Sequence, residues 1–320
     1  MTESAPIAVV IPAYNAEQTL AHCLRSVLAQ TVSPAEIIVV DDGSSDQTAA
    51  VARACSERIV VLQQENQGSA AARQLGTEYA SSEYIAYLDA DDWWPEAALG
   101  RYFDLLQEVE IHFLIADFPR ALPQASEQDY LPRNSTFYPW FREYLQSHQA
   151  QCPYPHLFRL PAPMALAALL RGYPYFPSAS LVRRTSVLEV GGWDRRFPRC
   201  QDLDLALRLA RRYPLHFFDT VQAVVGINEG NKNVHGYVKK QTEGDLDVLR
   251  THYAEHAKDP AYRRQVAKAI ARKYYGLGDT CRLSNQPGAA YDAYRAALRW
   301  PGKRTRALAR MILLSGKSHA

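Results

Sequence analysis

The chain has 320 residues, of which 47% are hydrophobic and 22% charged, and its formal net charge is +2. That is enough chain for one large folded domain with a buried core, or for a domain plus an appendage, and it excludes a disordered or fibrous protein. The balanced charge argues against a nucleic-acid partner, so function has to be read from local sites.

From the N-terminus, residues 1–6 place no basic segment before an apolar run, and the apolar stretch 7–13 is too short to span a membrane. Neither a signal peptide nor a transmembrane helix is expected, and a cytoplasmic setting follows. Residues 7–11 read as a first, fully buried strand. Asn15 is placed to cap a helix, with Gln18 in capping-box position, and Leu20, Leu24, Val27 and Leu28 give that helix one apolar face. Residues 36–40 form a second strand and 44–55 a second helix, opened by a Gly-Ser-Ser-Asp turn. A third strand at 59–62 leads into an alanine-rich helix at 69–80. A fourth strand at 84–88 leads into a helix at 95–106 with proline in its first turn. Strands alternating with helices predict an α/β fold, a parallel sheet covered on both faces.

The middle of the chain changes character. From 119 to 177 prolines and aromatics are frequent, and irregular loops with short helices at 140–147 and 164–170 are expected. Order returns with strands near 180–182, 215–218 and 223–226, and with a helix at 203–212 striped by Leu203, Ala206, Leu207 and Ala210. The expected division is a domain over 1–235, with a first half 1–120 and a second half 121–235, followed by a helical region over 236–320. Within that region, 289–298 resembles the second helix of a tetratricopeptide unit, but a lone unit cannot stack, so it reads as an appendage. The tail 302–317 mixes basic residues with Leu308, Met311, Ile312 and Leu313. That pattern suits either a packed terminal helix with a solvated basic face, which is the expectation, or peripheral contact with an anionic membrane. Cys23, Cys55, Cys152, Cys200 and Cys281 are far apart and form no CxxC pair, so no disulfide framework is expected. Asn134-Ser135-Thr136 fits a glycosylation acceptor but carries no weight without a secretory signal.

The informative feature is where the unusual polar residues fall. Pro12, Tyr14 and Asn15 follow the first strand, Asp41 and Asp42 the second, Asn66 and Gly68 the third, and Asp89, Asp91 and Asp92 the fourth. In a parallel sheet the carboxyl ends of the strands share one edge, and ligands bind in the crevice along it. Asp89 and Asp91, two residues apart, repel one another unless a cation compensates. Hard cations such as Mg²⁺ or Mn²⁺ take one or two carboxylates and complete their shell with substrate phosphates. The alternative, capping of the next helix, needs fewer acids than the three present. One aspartate of Asp41-Asp42-Gly43-Ser44 serves the turn, and the other is chemically apt for the N–H and O–H donors of a nucleoside. Arg73, in the alanine-rich helix, is placed either to meet a diphosphate or to pair with Asp42 or Asp89.

Together these residues resemble the inverting glycosyltransferase family 2, with its GT-A fold. The matching text is Val9-Val10-Ile11-Pro12-Ala13-Tyr14-Asn15, Ile38-Val39-Val40-Asp41-Asp42-Gly43-Ser44, Asn66-Gln67-Gly68 with Ala72-Arg73, Leu88-Asp89-Ala90-Asp91-Asp92, Gly191-Gly192-Trp193-Asp194 and Gln201-Asp202-Leu203-Asp204-Leu205. The resemblance covers roughly residues 6–225. It implies a nucleotide-diphosphate sugar donor, with UDP foremost, and a carbohydrate, lipid-linked or other hydroxyl acceptor. It implies that Pro12, Tyr14 and Asp42 bind the base and ribose, with Asn15, Gly68 and Arg73 in the same nucleotide site. Asp89 would hold the ribose or a metal water, and Asp91 would hold the Mn²⁺ or Mg²⁺ that bridges the diphosphate. Asp202 would be the catalytic base, although Gln201 stands where the family usually has glutamate; its structural alternative is to cap the helix it opens. An acceptor would lie near Phe176, Pro177, Ser178, Trp193 and Asp202, while Trp93 and Trp94 either line the cleft or pack in the core.

Rival readings are weaker. His252-Tyr253-Ala254-Glu255-His256 fits the HxxEH form of some zinc sites but lacks a third ligand. Nucleotidyl transfer or a dinucleotide oxidoreductase would want a glycine-rich phosphate loop after the first strand, where this chain has Pro-Ala-Tyr-Asn. A sugar or nucleotide binder without transfer activity, or a scaffold, would not need both Asp91 and Asp202.

Overall fold

The computed structural model describes residues 4–122, 125–148, 152, 154–173, 175–227 and 234–315. The chain divides into two compact units, Met1–Leu169 with Tyr173–Asn228, and Leu170–Gly172 with Glu229–Ala320.

In the first unit, strand β1 (Ser4–Ala13) is followed by α1 (Leu20–Leu28), β2 (Ser33–Asp41), α2 (Thr48–Cys55), β3 (Ile59–Gln63), α3 (Ser69–Tyr79), β4 (Tyr84–Tyr87) and α4 (Ala98–Glu108). Then come β5 (Phe113–Asp117), β6 (Arg120–Ala121), α5 (Pro139–His148), β7 (Leu157–Leu160), α6 (Ala162–Arg171), β8 (Ser180–Arg183), α7 (Arg184–Glu189), α8 (Gln201–Ala210), β9 (Leu215–Val221) and β10 (Val225–Gly226). Short 3₁₀ turns occupy Glu127–Asp129, Asn134–Phe137 and Pro177–Ala179.

The main sheet has eight strands in the order β3-β2-β1-β4-β8-β5-β9-β7. β1, β2, β3 and β4 are parallel, and β8 runs antiparallel to both β4 and β5, so β5 points the same way as β4. β9 is parallel to β5, and β7 closes the sheet antiparallel to β9. The expected α/β fold is therefore present, with β7 and β8 as antiparallel members of a mainly parallel sheet. The carboxyl ends of six strands share one edge.

Alternation along β1 explains the layers. Ile7, Val9 and Ile11 join Leu20, Leu24, Leu99 and Tyr102 in one buried cluster, so α1 and α4 cover that face. Val10 points to the other face, where a Cβ on Gly76 of α3 would come within 2.4 Å of it. The buried alanines 70–72 of the same helix allow that close approach.

Two sequence expectations are corrected. Asn15 caps no helix: it takes a left-handed φ of +47° and α1 begins only at Leu20. The stretch 119–177 contains β6 and β7 as well as loops and helices. Of the two alternatives for Trp93 and Trp94, the structure takes core packing: they are 7% and 3% exposed. Asn134 is buried too, which agrees with setting the glycosylation pattern aside.

The second unit contains α9 (Val234–Glu255), α10 (Pro260–Leu283), α11 (Pro287–Leu298) and α12 (Arg304–Ser315). Asp259 caps α10 by accepting from the Tyr262 amide at 3.0 Å, with Pro260 in the first turn. The His252 ring is buried and bonded to the Tyr262 hydroxyl at 2.6 Å, and His256 turns to the His252 carbonyl. Both histidines of the HxxEH pattern thus have partners within this unit.

Candidate active site

The loops at the shared edge are laced together from the first strand outward. The Asn15 amide donates to Ser44 Oγ at 2.9 Å, and Asn15 Oδ1 accepts from the Ser45 amide at 2.9 Å. The Ala16 amide donates to Thr48 Oγ1 at 2.8 Å. Asn15 thus ties the loop after β1 to the loop after β2, and its left-handed backbone is the turn that allows this. Pro12 is buried inside β1, opposite Val40, while Tyr14 just beyond it is 54% exposed.

Asp41 and Asp42 are both buried and divide their work. Asp41 accepts from the Ser44 amide and from Gln63 Nε2, each at 3.0 Å, and so closes the turn. Asp42 reaches the next loop: Oδ1 accepts from Gln64 Nε2 at 2.6 Å and the Gln67 amide at 2.9 Å, and Oδ2 from the Gly68 amide at 2.8 Å. Three donors hold this carboxylate in place, and the remaining acceptor capacity on Oδ2 is what is left for a base or ribose. Gly68, at φ +88°, is the residue before α3.

Arg73 carries the most unusual environment. Its side chain is 5% exposed, Nη2 pairs with Asp89 Oδ1 at 2.5 Å, and the guanidinium lies 4.9 Å from the centre of the Trp193 ring. Of the two carboxylates within the sequence expectation, the partner is Asp89 and not Asp42. Nε and Nη1 are buried with no hydrogen-bond partner. Burial pulls the guanidinium pKa down, but Asp89 and, further off, Asp202 raise it above its ordinary value. A buried cation with two unmet donors is costly unless something accepts from them.

The turn Asp89-Ala90-Asp91-Asp92 lies beside it. Asp92 is buried; it accepts from Ser178 Oγ at 2.5 Å and from the Gly226 amide at 2.8 Å. Burial, then Asp91 and Asp89, push its carboxyl well above the usual range. Ser178 also accepts from the Asp89 amide at 3.1 Å, and its carbonyl receives Trp94 Nε1 at 2.9 Å. Ser178 is thus a buried brace for the acidic turn, a role the sequence did not disclose. A Cβ on Gly226 would lie 2.1 Å from the Asp91 carbonyl, so only glycine lets β10 pass this close. Among the described residues no three carboxylate, imidazole or thiolate groups form a closed cage. The donor set, half-buried Asp91 with Asp89 beside it, fits a hard divalent ion that draws its other ligands from phosphate and water.

Asp202 reaches the same region from the second half. It lies in the first turn of α8, which starts at Gln201; the cap position is Cys200, at φ +57°, and Asp202 Oδ1 accepts from the Leu203 amide at 2.9 Å, so it also serves a backbone donor at that helix end. Gln201 Nε2 donates to Ser69 Oγ at 2.6 Å, joining the first turn of α8 to the first turn of α3. Asp202 is half-buried and close enough to Arg73 and Tyr175 to bias the charge of both. The Gly191-Gly192-Trp193 segment is held by Gln74, whose Oε1 accepts from the Trp193 amide at 2.8 Å. Gly192, at φ +69°, has Gln74 Oε1 where a Cβ would stand, 2.1 Å away.

The edge continues past β4. Asp117, at the end of β5, is fully buried and accepts from Arg133 Nε at 2.8 Å and Ser135 Oγ at 2.6 Å. Arg133 also pairs with Asp219 of β9, which pairs with Arg142 at 3.0 Å. A hollow of about 420 Å³ opens there, lined in part by Arg133, Ser135, Arg142 and Glu143.

Comparison with known proteins agrees with this geometry. The family model described as "Glycosyl transferase family 2" matches residues 8–166, just under half of the chain. Glycosyltransferase GlyA of Streptococcus pneumoniae serotype 4 is 34% identical over 115 residues, 35% of this chain and 16% of its own length. The UDP-Glc:alpha-D-GlcNAc-diphosphoundecaprenol beta-1,3-glucosyltransferase WfgD of Escherichia coli is 36% identical over 114 residues, 35% of this chain and 45% of its own length. The matched stretch therefore spans less than half of either relative. Among solved structures, S. aureus TarS 1-349 in complex with UDP-GlcNAc superposes with a TM-score of 0.61 at 16% identity, covering 96% of this chain and 88% of that one. The Pyrobaculum calidifontis mannosyltransferase PcManGT, in complex with GDP-Man and Mn²⁺, gives 0.56 at 17%, covering 99% and 87%. These likenesses establish the fold, which is GT-A.

Proposed function

We propose that this chain, which carries a glycosyltransferase family 2 domain over residues 8–166, transfers a sugar from a nucleoside diphosphate donor to an acceptor hydroxyl with inversion. The observation that carries the reading is the shared edge, where Asp42, Asp89 and Asp91 follow the parallel strands β2 and β4 and the Arg73 guanidinium pairs with Asp89 beside the acidic turn.

Each residue then has a task. Tyr14, exposed past β1, offers a stacking surface to the base, with Pro12 beneath it and the remaining acceptor of Asp42 for the base or ribose. Asn15 and Gly68 shape the loops that present them. Asp91, with Asp89, is the pair to hold Mn²⁺ or Mg²⁺, which when bound supplies compensation for negative charge on the leaving diphosphate. Arg73 takes up part of the same charge. Asp202 accepts the proton of the acceptor hydroxyl as its oxygen attacks the anomeric carbon from the face opposite the diphosphate. The hollow beyond β5, with Arg133 and Arg142, offers donors to the rest of a polar acceptor.

UDP is the nucleotide favoured: WfgD names a UDP-sugar and a lipid-linked acceptor, and TarS was solved with UDP-GlcNAc. Synthesis of a cell-surface polysaccharide or glycoconjugate fits that chemistry. The test is Asp202→Asn, followed by UDP release from UDP-sugars in the presence of acceptors. Turnover is expected to fall about 10²–10⁴-fold with donor affinity unchanged. Undiminished turnover would remove Asp202 from the mechanism.

A further inference from the structure

Residues 229–320 contain 18 Lys and Arg against 8 Asp and Glu, whereas residues 1–228 contain 18 against 26. A chain of nearly neutral total charge is thus divided into an acidic part and a strongly basic one. Nothing in sugar transfer requires that division.

The basic excess meets an unusual helix. In α12, Ala307 and Met311 are buried and face the helix's packing partner α11. At 100° per residue, Ala309 and Leu313 lie opposite that buried side and Ile312 well away from it, while Leu308, about 60° from Met311, forms one edge of the outward stripe. Leu308 is 52% exposed, Ile312 64% and Leu313 61%. A surface helix normally puts polar residues there. The arginines instead mark the borders of this outward stripe: Arg304 on one flank, Arg306 and Arg310 on the other. Arg310 is engaged with Asp279 and Tyr275. Arg304 and Arg306, with Arg295 and Arg299 nearby in sequence, are exposed and make no ion pair among the described residues.

We infer that the outer face of α12 docks on an anionic lipid surface, its leucines and isoleucine entering the headgroup boundary and its arginines meeting the lipid phosphates. An apolar stripe bordered by cations is the arrangement that lies in a membrane interface. No described helix is long and apolar enough to cross a membrane, and α12, at 12 residues, is well short of the roughly 20 that spanning takes. The charge selects lipid over a neutral apolar partner, because Arg304 and Arg306 would be left without counter-charge on such a protein surface. The inference does not depend on the transfer reaction.

The experiment is co-sedimentation of the full chain with vesicles of phosphatidylcholine alone, or with about one third phosphatidylglycerol. Binding is expected only to the anionic vesicles and should weaken as salt rises. Ile312→Glu and Leu308→Glu alter exposed side chains, so folding is retained, as a thermal melt will verify, and each should lower the affinity at least tenfold. Arg304→Gln with Arg306→Gln should lower it by about fivefold per residue. No binding to anionic vesicles, or binding that survives both glutamate variants, overturns the inference. So does a wild-type dimer in sedimentation velocity that Ile312→Glu converts to monomer, since the face would then belong to a second copy.

Discussion

At the scale of the residue, several carboxylates of the site are well engaged and Arg73 stands apart. Asp41 is engaged by its own turn and the neighbouring strand, and Asp42 by three donors of the loop that follows β3. Arg73 differs, being buried, paired on one nitrogen only and adjacent to an aromatic face. Arg73→Lys keeps the charge but loses the fork that serves Asp89 and a phosphate together. UDP affinity should fall about 10–100-fold, the span of one or two lost charged hydrogen bonds, while uridine binding stays as it was. Equal losses for uridine and UDP in a calorimetric titration would show that Arg73 supports the pocket without touching the diphosphate. The sequence revealed that Arg73 was unusual but not its partner. Asp42 and Asp89 follow β2 and β4, the strands on either side of β1, and only the way α3 lies on the sheet favours one of them.

At the scale of the element, legibility followed the punctuation of the chain. β1 to β4 are short apolar runs that end in polar or acidic residues, so both their existence and the edge they share could be read. β5 was not read: no glycine or proline separates it from α4, and the text from 105 to 117 keeps an apolar pattern that a helix also satisfies. β7 is four residues among prolines, and its pairing with β9 is tertiary. The start of α1 was misplaced because Asn15 has a capping residue's chemistry, yet uses it to bind the next loop. β10 matters more than its two residues imply. It threads Gly226 against the Asp91 carbonyl and gives its amide to Asp92. Gly226→Ala should destabilise the protein by about 1–3 kcal/mol in a urea melt, as overpacking does. It should also weaken metal-dependent nucleotide binding, because the methyl displaces the acidic turn. A variant with altered stability and unaltered binding would separate the two.

At the scale of the whole molecule, residues distant in sequence meet on one sheet edge, from Tyr14 and Asp42 through Asp89 and Asp91 to Asp117. Except for Asp117, whose strand was not legible, that convergence was predictable from strand direction alone, because parallel strands put their carboxyl ends together. The contribution of the second half was not. The bond from Gln201 to Ser69 and the brace at Ser178 depend on how 176–205 folds back, which no local pattern encodes. On the proposed reading this edge is a metal-assisted nucleoside diphosphate site. Calorimetric titration of UDP, GDP and dTDP into the protein with and without Mn²⁺, repeated with Asp91→Asn, tests it. Binding of one nucleotide, UDP foremost, is expected to need the metal and to be lost in the variant. Absence of binding for all three, with and without metal, would contradict that reading.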